Sequence, residues 1–146
     1  MATRRSWALT VLLFVSCSPR PDEMNVETVI SRIDALNGKT VSVAGYLGEC
    51  GGYECALYRT KRDADLTNHW MRNSRAGRPF EIVDVPTLGI GTGANFDATA
   101  APFTNSYVVI KGIVTNECRF NGKPACTDRS TDLKPVSIRS KETAAN

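Results

Sequence analysis

A mainly β (α+β) domain with about five short strands and a helix near its N-terminus is what the sequence predicts, on three observations. Val41-x-Val43-x-Gly45-x-Leu47 and Val108-x-Ile110-x-Gly112-x-Val114 alternate apolar and polar positions at the strand period. Val26, Val29, Ile30, Ile33 and Leu36 recur instead at the helical period. Each of the two strand patterns also carries a mid-strand glycine, which weakens a flat sheet but suits a strand that must bend. At 146 residues, 42% hydrophobic and 23% charged, the chain has room for one core. No apolar run approaches the ~20 residues of a spanning helix.

In chain order, the helix over 26–36 is introduced by Asn25 as a cap and stopped by Gly38, where a left-handed residue is wanted. Residues 41–47 form a strand, and 54–58 its hairpin partner across Gly51-Gly52. Asp63 to Met71 reads as a short helix with Leu66 and Trp70 on one face. Residues 80–85 are a third strand, stopped by Pro86; 107–114 are a fourth; 133–138 are a fifth, which Pro135 places at an edge.

Five strands that turn on glycines, with one helix, fit a small five-stranded OB-like Greek-key barrel better than a sandwich needing seven. The stretch Leu36 to Leu47, then Cys50, Cys55 and Leu57-Tyr58, resembles small uncharacterised exported bacterial proteins with OB-like barrels. The strand ending at Cys118, Cys126-Thr127-Asp128-Arg129 and Leu133-Lys134-Pro135-Val136 fit the same picture. The resemblance spans residues 25–140 and implies a fold, with no mechanism attached.

The N-terminus reads as an address. Arg4 and Arg5 precede the uncharged run Trp7 to Val15, which has the layout of a signal peptide over residues 1–16. Its end, Leu13-Phe14-Val15-Ser16-Cys17, resembles the lipobox of bacterial lipoproteins, which implies lipidation of Cys17; an ordinary cleavage site is the alternative. Thr3-Arg4-Arg5-Ser6-Trp7 resembles a twin-arginine signal in its arginines alone. Ser18 after the modified cysteine implies, by the same resemblance, the periplasmic face of the outer membrane. Residues 17–24, with Pro19 and Pro21, then form a tether, and 141–146 a disordered tail. Loss of the leader leaves 16 basic against 15 acidic residues, so no global field steers the mature chain onto nucleic acid.

Five cysteines leave an even four once Cys17 is assigned to lipid. Local closure, Cys50 to Cys55 and Cys118 to Cys126, is the simplest of three connectivities. A four-cysteine zinc site is the alternative, but the second spacing is long for it and an oxidising compartment favours disulfides. Neither pair is Cys-x-x-Cys, as a redox enzyme would want.

No motif identifies a reaction, metal or cofactor. Gly38-Lys39-Thr40 lacks both the earlier glycine and the following helix of a phosphate loop. Gly89-Ile90-Gly91-Thr92-Gly93-Ala94-Asn95 could offer amides to an anion, yet reads first as a flexible connection. His69, the sole histidine, stands near Asp63 and Asp65 and could serve a small hydrolase, with packing of Trp70 beside a surface histidine as the plainer reading. The best candidate for binding is the segment from Tyr58 and Arg59 through Arg62, Trp70, Arg72 and Arg75 to Arg78, where arginines accompany aromatic faces. The expected protein is a non-enzymatic lipoprotein domain that binds an envelope protein, a glycan or an anionic component. A nucleic-acid-binding OB domain is disfavoured by the export signal.

Overall fold

The computed structural model describes residues 23–79, 84–92, 95–121, 123–126 and 128–141. The leader, Cys17, most of the tether, four residues of the strand expected over 80–85, and the tail beyond Lys141 lie outside the described residues.

The helix begins as its sequence directs. Asn25 Oδ1 accepts from the Thr28 amide at 2.7 Å, and α1 (Val26–Ser31) is followed by a single turn, α2 (Ile33–Leu36), after a break at Arg32. Val26, Val29, Ile33 and Leu36 are buried, and Gly38 supplies the left-handed exit at φ +77°. Glu23 and Met24, whose composition places them in the tether, instead belong to β1 (Glu23–Asn25). This strand runs parallel to β2 (Thr40–Gly51) at Ser42 to Ala44, covering an edge that would otherwise be left bare.

β2 is the central strand. Beyond Gly45 the same edge is taken over by β3 (Glu54–Tyr58), with Tyr46 opposite Tyr58 and Cys50 opposite Cys55. Gly45 stands at this handover, where a Cβ would lie 2.7 Å from both Leu57 Cγ and Tyr58 O; the glycine predicted to relieve a bend is thus required by close approach. On its other edge β2 pairs antiparallel with β5 (Ser106–Val114), which pairs in turn with β8 (Leu133–Ser140). Pro135 is accommodated opposite Gly112, where the β5–β8 register shifts.

The end of the sheet beyond β3 is β4 (Thr87–Gly89), paired with β3. Asp84 to Pro86, the described part of the strand expected over 80–85 with its stop, are not in a strand. The expectation of a flexible connection at Gly89 to Gly91 is corrected: Gly89 ends a strand, and Ile90 is fully buried. A Cβ at Gly89 would lie 2.5 Å from Ser130 O, and one at Gly91 2.5 Å from Thr131 Cγ2. These glycines serve close backbone approach. The sheet therefore runs β4-β3-β2-β5-β8, and its two ends meet through a parallel bridge of Ile90 with Leu133. Gly91 N donates to Leu133 O at 3.0 Å and Asp132 N to Gly89 O at 2.9 Å.

Two helical segments complete the molecule. The expected helix around Asp63 to Met71 is longer, α3 (Lys61–Arg75), because Thr60 caps it by accepting from the Asp63 amide at 3.2 Å. Between β4 and β5 lies α4 (Phe96–Ala100), continued by a tight turn over Ala101–Phe103, a helical segment too short for its periodicity to stand out in the sequence. Phe96 and Ala100 join Leu47, Leu57, Leu88 and Ile110 in one core, against which α1 also packs. A short hairpin of β6 (Arg119–Phe120) and β7 (Lys123–Pro124) stands apart from the main sheet.

The four described cysteines pair as expected: Cys50 with Cys55 across the β2–β3 hairpin, and Cys118 with Cys126 around β6–β7. Their sulfurs are thereby joined to each other and not offered to zinc. No helix among the described residues is long and apolar enough to cross a membrane.

Candidate functional site

The arginine-rich segment does not converge on one surface. Arg59, just before α3, forks between two carboxylates: its Nε and Nη2 donate to Asp63 at 2.9 and 3.1 Å, and its Nη1 donates to Glu27 at 2.7 Å. Arg75 is paired with Glu54 at 2.9 Å, and Lys61 with Asp65 at 2.7 Å. These cations hold α3 to its surroundings or to itself. Arg62, Arg72 and Arg78 are exposed and make no ion pair among the described residues. The period of α3 turns Arg62, Asp65, His69 and Arg72 outward, while Thr67, Trp70 and Met71 lie toward the sheet. His69 Nε2 lies 2.9 Å from Asn73 Nδ2, and both nearby carboxylates are occupied by Arg59 and Lys61. Of the predicted patch, only Tyr58 and Trp70 share a site.

That site is a cleft of about 520 Å³ between the inward side of α3, the outer side of β3 and β4, and described residues from Arg119 to Asp132, on and after the loop that Cys118 and Cys126 bridge. Tyr58, Ala56 and Cys55 contribute its wall from β3, Trp70 and Met71 from α3, and Pro124 and Cys126 from the bridged segment. Tyr53, at the turn of the β2–β3 hairpin, also lines it and is 80% exposed. The acids Glu49, Glu54, Asp128 and Asp132 line the cleft, against a single cation among the described residues, Arg119. Burial, with help from the Glu54 charge, raises the Tyr58 phenol above its ordinary pKa, so this hydroxyl is neutral at pH 7.

Arg119 is itself engaged. Its Nε donates to Asp132 Oδ1 at 2.8 Å and its Nη2 to Asp132 Oδ2 and Thr87 O, both at 2.7 Å. Asp132 Oδ2 also accepts from the Gly89 amide at 2.8 Å. The pair is nearly dry, with side-chain exposures of 6% and 1%. A second clamp lies farther along. Arg129 donates through both Nη atoms to Asp97 at 2.8 Å, and through Nε to Ile90 O at 2.7 Å. Together these arginines tie the segment from Arg119 to Asp132 to β4, Ile90 and α4, and build one wall of the cleft.

Sequence reasoning missed Glu49, Tyr53, Asp128 and the two clamps. The available hint was Arg119 inside the cysteine-bridged loop and Arg129 just after it, since a short covalent ring is a rigid platform for a buried pair. Among the described residues no group of three or more His, Cys, Asp or Glu could hold a metal ion.

The ion pairs make stability sensitive to acid. The Arg59 guanidinium beside Asp63 and that of Arg129 beside Asp97 hold both carboxyls below the ordinary aspartate range. A carboxyl lowered in the folded state contributes stability that is complete above its unfolded pKa and disappears as pH falls through the folded value. The melting temperature is therefore expected to be nearly level from pH 7 to about 5 and to fall below about pH 4. Thermal melts across this range on wild type and on Asp63→Asn/Asp97→Asn check it; the double variant should lose part of the acid-side fall, and an identical fall would refute these two pairs as its source.

Comparison of the chain with protein-family models, with curated proteins and with solved structures returned no match. Fold and site alone define its class: a mainly β, disulfide-bonded domain with a cleft on one side of its sheet.

Proposed function

We propose that this protein is an exported lipoprotein, anchored through lipid at Cys17 to the periplasmic face of the outer membrane, whose OB-like barrel is a non-enzymatic binding module for an envelope partner. The observation that carries the binding role is the cleft, where Tyr53, Tyr58, Trp70 and Met71 meet carboxylates on a rigid, disulfide-bonded frame. Support for the barrel comes from the strand order β4-β3-β2-β5-β8, the parallel bridge between its ends, and α4 placed between β4 and β5 in the chain. The two disulfides are compatible with maturation outside the cytosol.

The cleft also narrows the partner. A polyanion, whether nucleic acid or an anionic envelope component, would meet Glu49, Glu54 and Asp128, while Arg119 is already committed to Asp132. A protein or a glycan suits these walls better.

Site-specific photocrosslinking in intact cells tests the reading. Probes at Tyr53 and Met71 are expected to give discrete adducts in the membrane fraction, and a probe at Arg72, on the outward side of α3, none. Absence of adducts from both cleft positions rejects the cleft as the binding face. In the same cells Cys17→Ala should release the protein from membranes, and its retention there would reject the anchor.

A further inference from the structure

We infer that the cleft receives a lysine or arginine side chain presented by a polypeptide partner. This rests on the cleft being the binding face, as proposed above. Its only lining cation among the described residues, Arg119, is bound bidentately to Asp132 and donates to Thr87 O, so its charge is already engaged. Glu54 is shared with Arg75 at 2.9 Å. Glu49 and Asp128 are both exposed and make no ion pair among the described residues, which leaves the cleft with an uncompensated negative potential.

The walls match the same guest. Tyr53 and Trp70 bring aromatic faces to this space, and a cation between a π face and a carboxylate is stabilised by both. Ser130, a residue of the lining, has a buried Oγ with no hydrogen-bond partner among the described residues. A buried hydroxyl without a partner is uncommon in folded proteins, and a ligand group is one way to satisfy it. The Asn68 side-chain amide in the same lining can by itself exchange both a donor and an acceptor with a peptide unit. A free ammonium or metal ion can use the Asn68 oxygen but offers no acceptor to its N–H groups, whereas a peptide unit offers both. The occupant is therefore a basic stretch of polypeptide.

Calorimetric titration of the full-length protein in detergent, with tetralysine, tetraglutamate and chitotetraose as probes, tests this. Tetralysine is expected to bind, tetraglutamate not to bind, and added salt to weaken the tetralysine complex. Glu49→Gln/Asp128→Asn should weaken that complex by about tenfold or more, since both charges that face the guest are removed. Both positions are exposed and unpaired, so the variant is expected to keep the wild-type melting temperature. Arg62→Ala/Arg72→Ala should bind as wild type does. Equal affinity of tetralysine for wild type and the Glu49/Asp128 variant overturns the inference, as does tetraglutamate binding as well as tetralysine. Chitotetraose binding alone also overturns it, while the crosslinks from Tyr53 and Met71 would keep the cleft as the binding face. Loss of those crosslinks would remove the cleft itself.

Discussion

Asp132→Ala is expected to destabilise the domain by about 3 to 5 kcal/mol, a large part of the ~5 to 15 kcal/mol typical of a folded protein. The magnitude comes from what is left behind. Arg119, with a side chain only 6% exposed, would keep its charge and lose its bidentate acceptor, and the Gly89 amide would lose a 2.8 Å bond. The damage falls where the two ends of the sheet meet, because Asp132 N also bonds to Gly89 O and the next residue, Leu133, bridges to Ile90. Urea denaturation of wild type and variant measures the effect. Removing both charges by Arg119→Met/Asp132→Leu should restore much of the loss, since a buried ion pair contributes little over an apolar pair of similar shape. A change below about 1 kcal/mol in Asp132→Ala would mean the pair is not buried as described.

Loss of the disulfides is the second large effect. A ring as short as that closed by Cys118 and Cys126 stabilises by roughly 2 to 3 kcal/mol through the entropy it removes from the unfolded chain. Cys50–Cys55 closes a still shorter ring, worth roughly 2 kcal/mol on the same reasoning. The two bridges differ in what else depends on them. The β2–β3 hairpin is also held by its ladder, with Tyr46 opposite Tyr58 and Leu47 opposite Leu57. The segment between Cys118 and Cys126 has only its two-residue strands and carries Arg119, so its release loosens a wall of the cleft as well. Melting in the presence of excess thiol should therefore fall by more than either single bridge explains. Cys118→Ser/Cys126→Ser should impair cleft crosslinking from Tyr53 more than Cys50→Ser/Cys55→Ser does at matched stability. Equal crosslinking in the two variants would assign both bridges a purely entropic role.

Elements whose determinants lie close together along the chain are legible in the amino-acid sequence. Asn25 and Gly38 bracket the N-terminal helix because capping and a left-handed stop are decided within a few residues. The hairpin with Cys50 opposite Cys55, and the strands at 40–51, 106–114 and 133–140, follow from alternation over single segments. Even Gly45 and Gly112, as glycines in mid-strand, mark places where a neighbour comes close.

Contacts between distant residues are a different matter. Asp97 and Arg129 are 32 residues apart and the Gly89 amide and Asp132 are 43 apart, and no periodicity links such partners. The same holds for the cleft. Composition groups the arginines of 59–78 because they are neighbours along the chain, but the helix turns Arg62 and Arg72 to solvent and sets Trp70 in one lining with Glu49, Tyr53 and Asp128 from other elements. Short-range backbone preferences thus name the pieces of this protein, whereas the joining of β4 to β8 arises only when desolvation forces buried groups from remote segments to find one another, and the cleft's charge only when packing brings exposed acids of separate elements to one opening.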